Sequence, residues 1–290
     1  MKRAMGLVGA IVAPLTVGLS AQAPGAVAAL PGSTRSAALG GAGAALVGDA
    51  GAIFANPAAI ATGRPLSLEG SYEGYLAGTA VSSAALVLRV GRFNWGFGAQ
   101  ALDYGGTFQN YEVLALSSLV YRRGLVALGV SGKYDRQVIG SAVADAWAGD
   151  VGAAIAVFDI MAFGVSVQNL GGDFGTGVGT LPRRTRVGFT LNYTDPQGAF
   201  RLLTTLEGQW LRHQGEGTSR LITGVEGGVV TGGIGLVGRT AYATRPGVAG
   251  GSRLTVGGGV VLGRLHVDYA FQEYALPADG THRVGVRWAP

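Results

Sequence analysis

From Pro65 to the C-terminus the chain repeats one pattern: roughly ten residues alternating apolar with polar or small, then a break at glycine, proline, aspartate or asparagine. Alternation of period two belongs to strands with two unlike faces, and ~9–11 residues is what a tilted strand needs to cross a bilayer. The last hairpin shows it most clearly. Over 264–274, Leu265, Val267, Tyr269 and Phe271 share one face, and His266, Asp268, Ala270 and Gln272 the other. In the final strand Val284, Val286 and Trp288 oppose Arg283, Gly285 and Arg287. Likewise Val187, Phe189, Leu191 and Tyr193 oppose Arg186, Gly188, Thr190 and Asn192, while Phe200, Leu202, Leu206 and Trp210 oppose Arg201, Thr205, Glu207 and Gln209. Segments 79–90 and 111–122 are apolar on both faces, which leaves their orientation open.

Composition decides what such strands can build. Only 13% of residues are charged, about half the usual share for a soluble domain, and the mean hydropathy is positive. Beyond the first 20 or so positions no apolar run reaches the ~18 residues of a membrane helix. Only helices and closed barrels satisfy every backbone hydrogen bond inside a membrane. The expectation is therefore an all-β fold, a transmembrane antiparallel β-barrel of about 14 strands with one face to lipid and the other to a wet lumen. The strands are expected near 66–76, 79–90, 93–103, 110–122, 125–136, 144–157, 160–170, 183–194, 199–213, 218–230, 233–244, 252–262, 264–274 and 281–289. Tyr72, Trp95, Tyr121, Tyr134, Tyr193, Trp210, Tyr242, Tyr269 and Trp288 fall near strand ends, where they would form interfacial girdles. The 52 glycines are costly inside strands; glycines facing the lumen would leave room for inserted chain or tight curvature.

The N-terminus reads as an export signal. Lys2 and Arg3 precede an apolar stretch, Met5 to Leu19, broken by Pro14, and Ala26-Val27-Ala28 offers small residues for cleavage. A cut after Ala23 would leave Pro24 first. Residues 1–28 are thus expected to be a leader, 29–64 a plug and 65–290 the barrel, located in a bacterial outer membrane. With no cysteine in the chain there is neither a lipid attachment site after the leader nor a disulfide. Without Lys2 and Arg3, 20 basic groups face 17 acidic ones, scattered singly; nucleic acid, which needs a clustered basic footprint, is excluded as a partner.

Residues 33–64 break the strand pattern. They are dominated by alanine and glycine and end near Asn56-Pro57. Small residues let a chain lie close against its surroundings, so the segment is expected to plug the lumen. Asp49 could cap a short helical turn, and Pro57 pushes Asn56 out of helical geometry. The run GGAGAALVGDAGAIFANPAAIA at 40–61, with Asp49, Ile53, Phe54, Asn56, Pro57 and Ala58, resembles the N-terminal signature of PorV/PorQ proteins, a branch of the FadL-like outer-membrane barrels. Val267-Asp268-Tyr269-Ala270, Thr281-His282-Arg283 and the Ser166–Gly172 run SVQNLGG are similar as well. The resemblance implies a fourteen-stranded barrel with its N-terminal segment folded into the lumen. FadL-type members carry long-chain fatty acids or other hydrophobic solutes; PorV-type members assist type IX secretion, handing exported cargo to the cell surface. About 260 residues after the leader leave no room for the long loops that capture hydrophobic ligands, which favours the PorV/PorQ side. The final strand ends in Trp288-Ala289-Pro290 rather than in an aromatic residue, a departure from the pattern of such barrels.

No residues with catalytic, cofactor or metal roles emerge. The histidines, His213, His266 and His282, lack a second ligand at metal spacing. His266 and Asp268 share a face and are expected to bond Arg283 or Arg287 of the next strand. There is no Gly-x-Ser-x-Gly elbow, and Gly233-Ile234-Gly235-Leu236-Val237-Gly238 lies in strand-like sequence, where a dinucleotide fingerprint has no helix to open. Arg183, Arg184 and Arg186 read as a charged strand end at the headgroup level. By parity, Arg186, Glu207, Arg239, His266, Asp268, Arg283 and Arg287 are expected to face the lumen. The functional expectation is a non-enzymatic barrel in outer-membrane lipid that binds exported cargo or a secretion translocon. The alternatives are a FadL-like channel for a hydrophobic small molecule and an outer-membrane hydrolase.

Overall fold

The structure is a computed structural model that describes residues 25–290 except 75–77, 106–109, 158–159, 176–177, 196–197, 214, 248–250 and 275–278. The leader expected over 1–28 falls outside the described residues up to position 24.

Fourteen antiparallel strands form one closed barrel in which each pairs with its sequence neighbours and the first with the last. They are β1 (Leu66–Gly74), β2 (Ala80–Val90), β3 (Phe93–Asp103), β4 (Tyr111–Arg123) and β5 (Val126–Ile139). There follow β6 (Ala142–Val157), β7 (Met161–Gly171), β8 (Arg183–Thr194), β9 (Phe200–His213) and β10 (Glu216–Thr231). Then come β11 (Ile234–Ala243), β12 (Gly251–Leu262), β13 (Leu265–Tyr274) and β14 (Asp279–Trp288). The seam runs from Leu68 opposite Trp288 to Gly74 opposite His282. Closure removes the unpaired edges that an open sheet of this length would expose.

One end of the barrel carries the tight connections. The turn between β10 and β11 is Gly232-Gly233, both at positive φ (57° and 80°), which a two-residue hairpin requires and only glycine adopts freely. The start of β1 and the end of β14 lie at this same end, and the longest connection, 172–182, lies at the other.

Outward side chains are the apolar ones. Val165, Val187, Leu206, Leu221, Leu236, Val267 and Val286 are all exposed in isolation, as are Trp95, Tyr121, Tyr193 and Trp288 toward the tight-turn end and Tyr72, Trp147, Trp210 and Tyr242 toward the other. Such an apolar band between aromatic belts is the surface of a lipid-facing barrel wall.

The two segments with apolar residues on both faces are resolved by what fills the lumen. In β2 the inward set is Val81, Ser83, Ala85, Val87 and Arg89; in β4 it is Glu112, Leu114, Leu116, Ser118, Val120 and Arg122. The apolar members pack with Ile53, Phe54 and Ile60 in one buried cluster. The expectation of a wet lumen is therefore corrected for part of the wall: beside β2 and β4 the inward Val81, Val87, Leu114, Leu116 and Val120 meet apolar side chains of residues 50–61.

Candidate functional site

Residues 25–64 lie against the inward faces of the strands. They form two short helices, α1 (Ala26–Ala29) and α2 (Thr34–Ala38), and two 3-10 turns, Ala50–Phe54 and Pro57–Thr62. α2 contacts β11 to β14 and the second turn contacts β3 to β7. The segment folds tightly because its residues are small, and the wall accepts it because many inward positions are glycine. A Cβ at Gly152 would collide with Asn56 Oδ1, one at Gly164 with the Ala44 carbonyl, and one at Gly285 with Thr34. At Gly129 it would come within 2.9 Å of the Ala58 nitrogen. Inserted chain therefore accounts for these inward glycines.

Asn56 organises the centre of the segment. It is fully buried with extended backbone (φ −152°, ψ 113°), as expected before Pro57. Its Oδ1 accepts from Ala58 N–H at 3.0 Å, and its Nδ2 donates to the carbonyls of Ala44 (2.8 Å) and Ala153 (3.1 Å). Every polar atom of the side chain is used. Pro57 occupies the first helical positions, where no N–H is missed.

Asp49 does not cap the turn that follows it, contrary to the expectation from its position. Its carboxylate is taken by two arginines instead. Arg35 Nη1 donates to Asp49 Oδ2 at 2.6 Å, and Arg287 Nη1 bonds Asp49 Oδ1. From these the network runs round the wall. Arg35 grips Glu226 of β10 through Nε and Nη2 (2.7 and 2.8 Å), and Arg239 of β11 meets the same carboxylate at 2.7 Å. Arg239 Nη1 then donates to Asp268 Oδ1 of β13 (2.6 Å), and Arg287 Nε of β14 to Asp268 Oδ2 (2.6 Å). The chain closes on itself: Arg35, Glu226, Arg239, Asp268, Arg287 and Asp49 alternate in sign around a ring. Three cations and three anions cancel, so the ring can be buried without a net charge. A buried ion pair is tolerated only with this kind of multiple satisfaction. β12 sits between β11 and β13 and contributes glycine there; a Cβ at Gly259 would come within 2.5 Å of Asp268 Oδ1.

The electrostatic consequence is plain for the two members that the segment contributes. Burial alone would push the Asp49 carboxyl up, but Arg287 and Arg35 beside it hold it well below the usual carboxylate range. Burial likewise opposes charge on Arg35, and Glu226 and Asp49 more than offset it.

A second grip lies on β7 to β9. Glu207 Oε2 accepts from the N–H groups of Gly43 and Ala44, both at 2.7 Å, while its Oε1 accepts from Arg186 (2.9 Å) and Gln209 (2.6 Å). Arg186 Nη1 also donates to the Gly41 carbonyl at 2.9 Å. The SVQNLGG run now has a physical reading. Ser166 donates to the Ala55 carbonyl (2.7 Å) and Gln168 to that of Phe54 (2.8 Å). Asn169 takes a left-handed backbone (φ 60°), open to asparagine more readily than to most residues. Its Nδ2 donates to the Pro182 carbonyl and its Oδ1 accepts from Lys133.

The remaining parity-based candidates are also on the inward face. Arg283 is 1% exposed and donates to the Pro31 carbonyl at 2.6 Å. His266 is half-buried, with its Nδ1 3.4 Å from Arg287 Nη2. The Arg183–Arg186 cluster is not a headgroup-level strand end as a whole. Only Arg183 is exposed, whereas Arg184 turns inward to the Ala29 carbonyl (2.9 Å). His282 points outward onto the Tyr269 hydroxyl. Among the described residues, no group of three or more His, Cys, Asp or Glu converges to hold a metal. Parity reasoning missed Arg35 and Glu226. Each is a single charge set among small residues, and a lone charge in such surroundings needs a partner.

At the tight-turn end a cavity of about 350 Å³ opens between the segment and the wall, bordered by Ala45, Val47, Met161, Thr190, Asn192 and Arg201.

No family model matches the chain, and no curated protein matches it. Solved structures do. A Pseudomonas aeruginosa FadL homologue aligns with a TM-score of 0.59 at 13% identity, covering 88% of this chain and 98% of the other. A TodX monoaromatic hydrocarbon channel variant aligns at 0.56 with 11% identity, covering 90% and 97%. At these identities the likeness is one of fold alone: a closed antiparallel β-barrel.

Proposed function

We propose that the chain is a non-enzymatic transport barrel of a bacterial outer membrane, exported through a cleaved leader. Residues 25–64 act as its plug, and small hydrophobic solutes pass when that plug shifts. The observation that carries this reading is the closed ion-pair ring, which ties two segment residues to four wall residues and stands apart from the apolar cluster beside β2 and β4. A hydrophobic solute entering between Ile53, Phe54 and Ile60 and the wall residues Val81, Val87, Leu114 and Leu116 would exchange one apolar contact for another, with little desolvation penalty. The TodX structure's own description as a monoaromatic hydrocarbon channel supports this solute class. With short turns on the periplasmic side, as in bacterial barrels generally, the cavity bordered by Arg201 and Asn192 faces the periplasm.

Uptake of radiolabelled toluene and oleate by a deletion strain tests the reading. Reduced uptake, restored by the wild-type gene, supports it; unchanged uptake of both sinks it. The secretion role implied by the PorV/PorQ resemblance makes a different prediction: exported cargo or a translocon copurifying with the detergent-solubilised barrel. No contact described above favours that role over transport.

A further inference from the structure

Two carboxylates on neighbouring strands, Glu112 of β4 and Asp135 of β5, point into the lumen, Glu112 directly against α1, and both are 0% exposed. Glu112 pairs in register with Gln137 and Asp135 with Leu114, so the two are diagonal neighbours on one face. Glu112 is well provided with donors: Tyr104 Oη at 2.8 Å, Val27 N–H at 3.0 Å and Gln137 Nε2 at 3.3 Å. Asp135 is not, since neither of its oxygens has a hydrogen-bond partner. The adjacent cation does not fill the gap, because Lys133 Nζ is held by Asp150 (2.7 Å) and by Asn169 (3.0 Å). A buried pair of carboxylates, one of them without a single hydrogen-bond donor, calls for an explanation.

What lies against Glu112 is the first turn of α1. Val27 is fully buried, and the nitrogens of both Val27 and Ala26 are turned to Glu112. We propose that the missing counter-ion is the α-ammonium created when the leader is removed, and that the bond cut lies between Ala23 and Val27, at Gly25–Ala26. This rests on the export reading given above. Hydrolysis by a leader peptidase adds water across that amide. The leader departs with a carboxylate on Gly25, and the mature chain keeps an amine on Ala26 that takes a proton from solvent.

Sequence and packing agree on the site. Ala23 and Gly25 place small residues at the two positions such peptidases read, and Ala26 follows the cut, whereas cutting after Ala23 would put Pro24 first. Cutting after Ala28, the expectation from the Ala26-Val27-Ala28 run, would discard Val27 with its bond to Glu112 and most of α1. An ammonium at Ala26 has three donors, one for Glu112 and others for the orphaned oxygens of Asp135. The bond between leader and barrel then has a structural meaning: the Asp135 oxygens gain a donor only after processing.

The full chain, expressed with its own leader in a Gram-negative host and purified folded from membranes, gives two readouts. N-terminal sequencing is expected to begin at Ala26, and a first residue of 24, 25, 27 or 28 overturns the assigned bond. A start at Ala29 or beyond overturns it while leaving export intact; a start at Met1 overturns both. The pairing is read by reductive methylation. The chain has only two lysines, Lys2 and Lys133, so the mature protein carries two amines. In the folded wild type the α-amine is expected to react about tenfold or more slowly than in the unfolded chain, a factor equal to one pK unit. Asp135→Asn should raise its rate by a similar factor without changing Lys133, and Asp135→Glu should restore protection. An α-amine as reactive folded as unfolded, or one unmoved by Asp135→Asn in a folded barrel, overturns the pairing. Where Asp135→Asn does not fold, judged by heat-modifiable migration, the folded-versus-unfolded comparison of the wild type decides alone.

Discussion

Arg35→Met is the most informative single change to the ring. Arg35 supplies three charge-assisted hydrogen bonds, at 2.6, 2.7 and 2.8 Å, from a side chain only 6% exposed. Methionine keeps the length of the side chain and removes the charge. Glu226 then retains only Arg239, and Asp49 only Arg287, so the buried network carries one uncompensated negative charge. Breaking a buried pair in this way costs ~3–5 kcal/mol, which shifts the equilibrium between docked and undocked segment by roughly 150-fold to 5,000-fold. Hydrogen exchange with mass spectrometry should show peptides from 33–62 exchanging faster by two powers of ten or more, while β5 and β9 are unchanged. A double variant, Arg35→Met with Asp49→Asn, leaves Glu226, Arg239, Asp268 and Arg287 as a neutral chain. Its effect should be smaller than the sum of the two single changes, because the members act as one network. The reasoning is refuted if Arg35→Met exchanges within a factor of about three of wild type, or if the two changes add.

Three other outcomes follow from the same contacts. Asn56→Ala removes three hydrogen bonds from a fully buried site and should weaken docking by ~1–3 kcal/mol; Gly152→Ala, whose Cβ would displace Asn56 Oδ1, should show the same exchange pattern from the wall side. Because the Asp49 carboxyl is held below its ordinary value, its stabilising contribution is fully present above ~pH 4 and is lost as the pH falls further. Segment protection should therefore lose an Asp49-dependent part only in acid below ~pH 4, and Asp49→Asn should remove that acid limb; an acid limb unchanged in Asp49→Asn would contradict the ring. Val165→Arg, on an outward position that is 45% exposed in isolation, should destabilise the barrel in lipid by ~2–4 kcal/mol as read by heat-modifiable migration, and a neutral result would mean that this face does not meet lipid.

The strands were legible because alternation and turn residues act locally. β3 and β8 begin and end where the pattern places them, and the other boundaries differ by a few residues. β2 and β4 were illegible in orientation for a physical reason: their inward positions meet Ile53, Phe54 and Ile60, so both faces are apolar and parity carries no contrast. The ring was legible only in part. Parity put Arg239, Asp268 and Arg287 on the inner face, but their partners come from sequence separations of up to 238 residues, which no local pattern encodes. Asp49 was noticed for a capping role it does not play, because the signal for a cap is local and the pull of Arg287 is not. The resemblance covers Ser166 and Gln168, yet only the structure shows that they hold main-chain carbonyls of the N-terminal segment.

That last feature extends well beyond those two residues. Arg283, Ser83, Thr255, Gln168, Ser166 and Arg122 all bond carbonyls of the segment rather than its side chains. In effect the segment is a peptide ligand bound by its backbone and tethered to its receptor through the exposed residues Arg64 and Pro65. A short tether keeps such a ligand at an effective concentration in the millimolar range, so even modest intrinsic affinity suffices for near-complete occupancy. Severing it with an engineered protease site at Gly63–Arg64 would turn occupancy into an ordinary binding equilibrium. The emptied barrel could then be titrated with free peptides of the same path, and the strength of the closure measured as a dissociation constant.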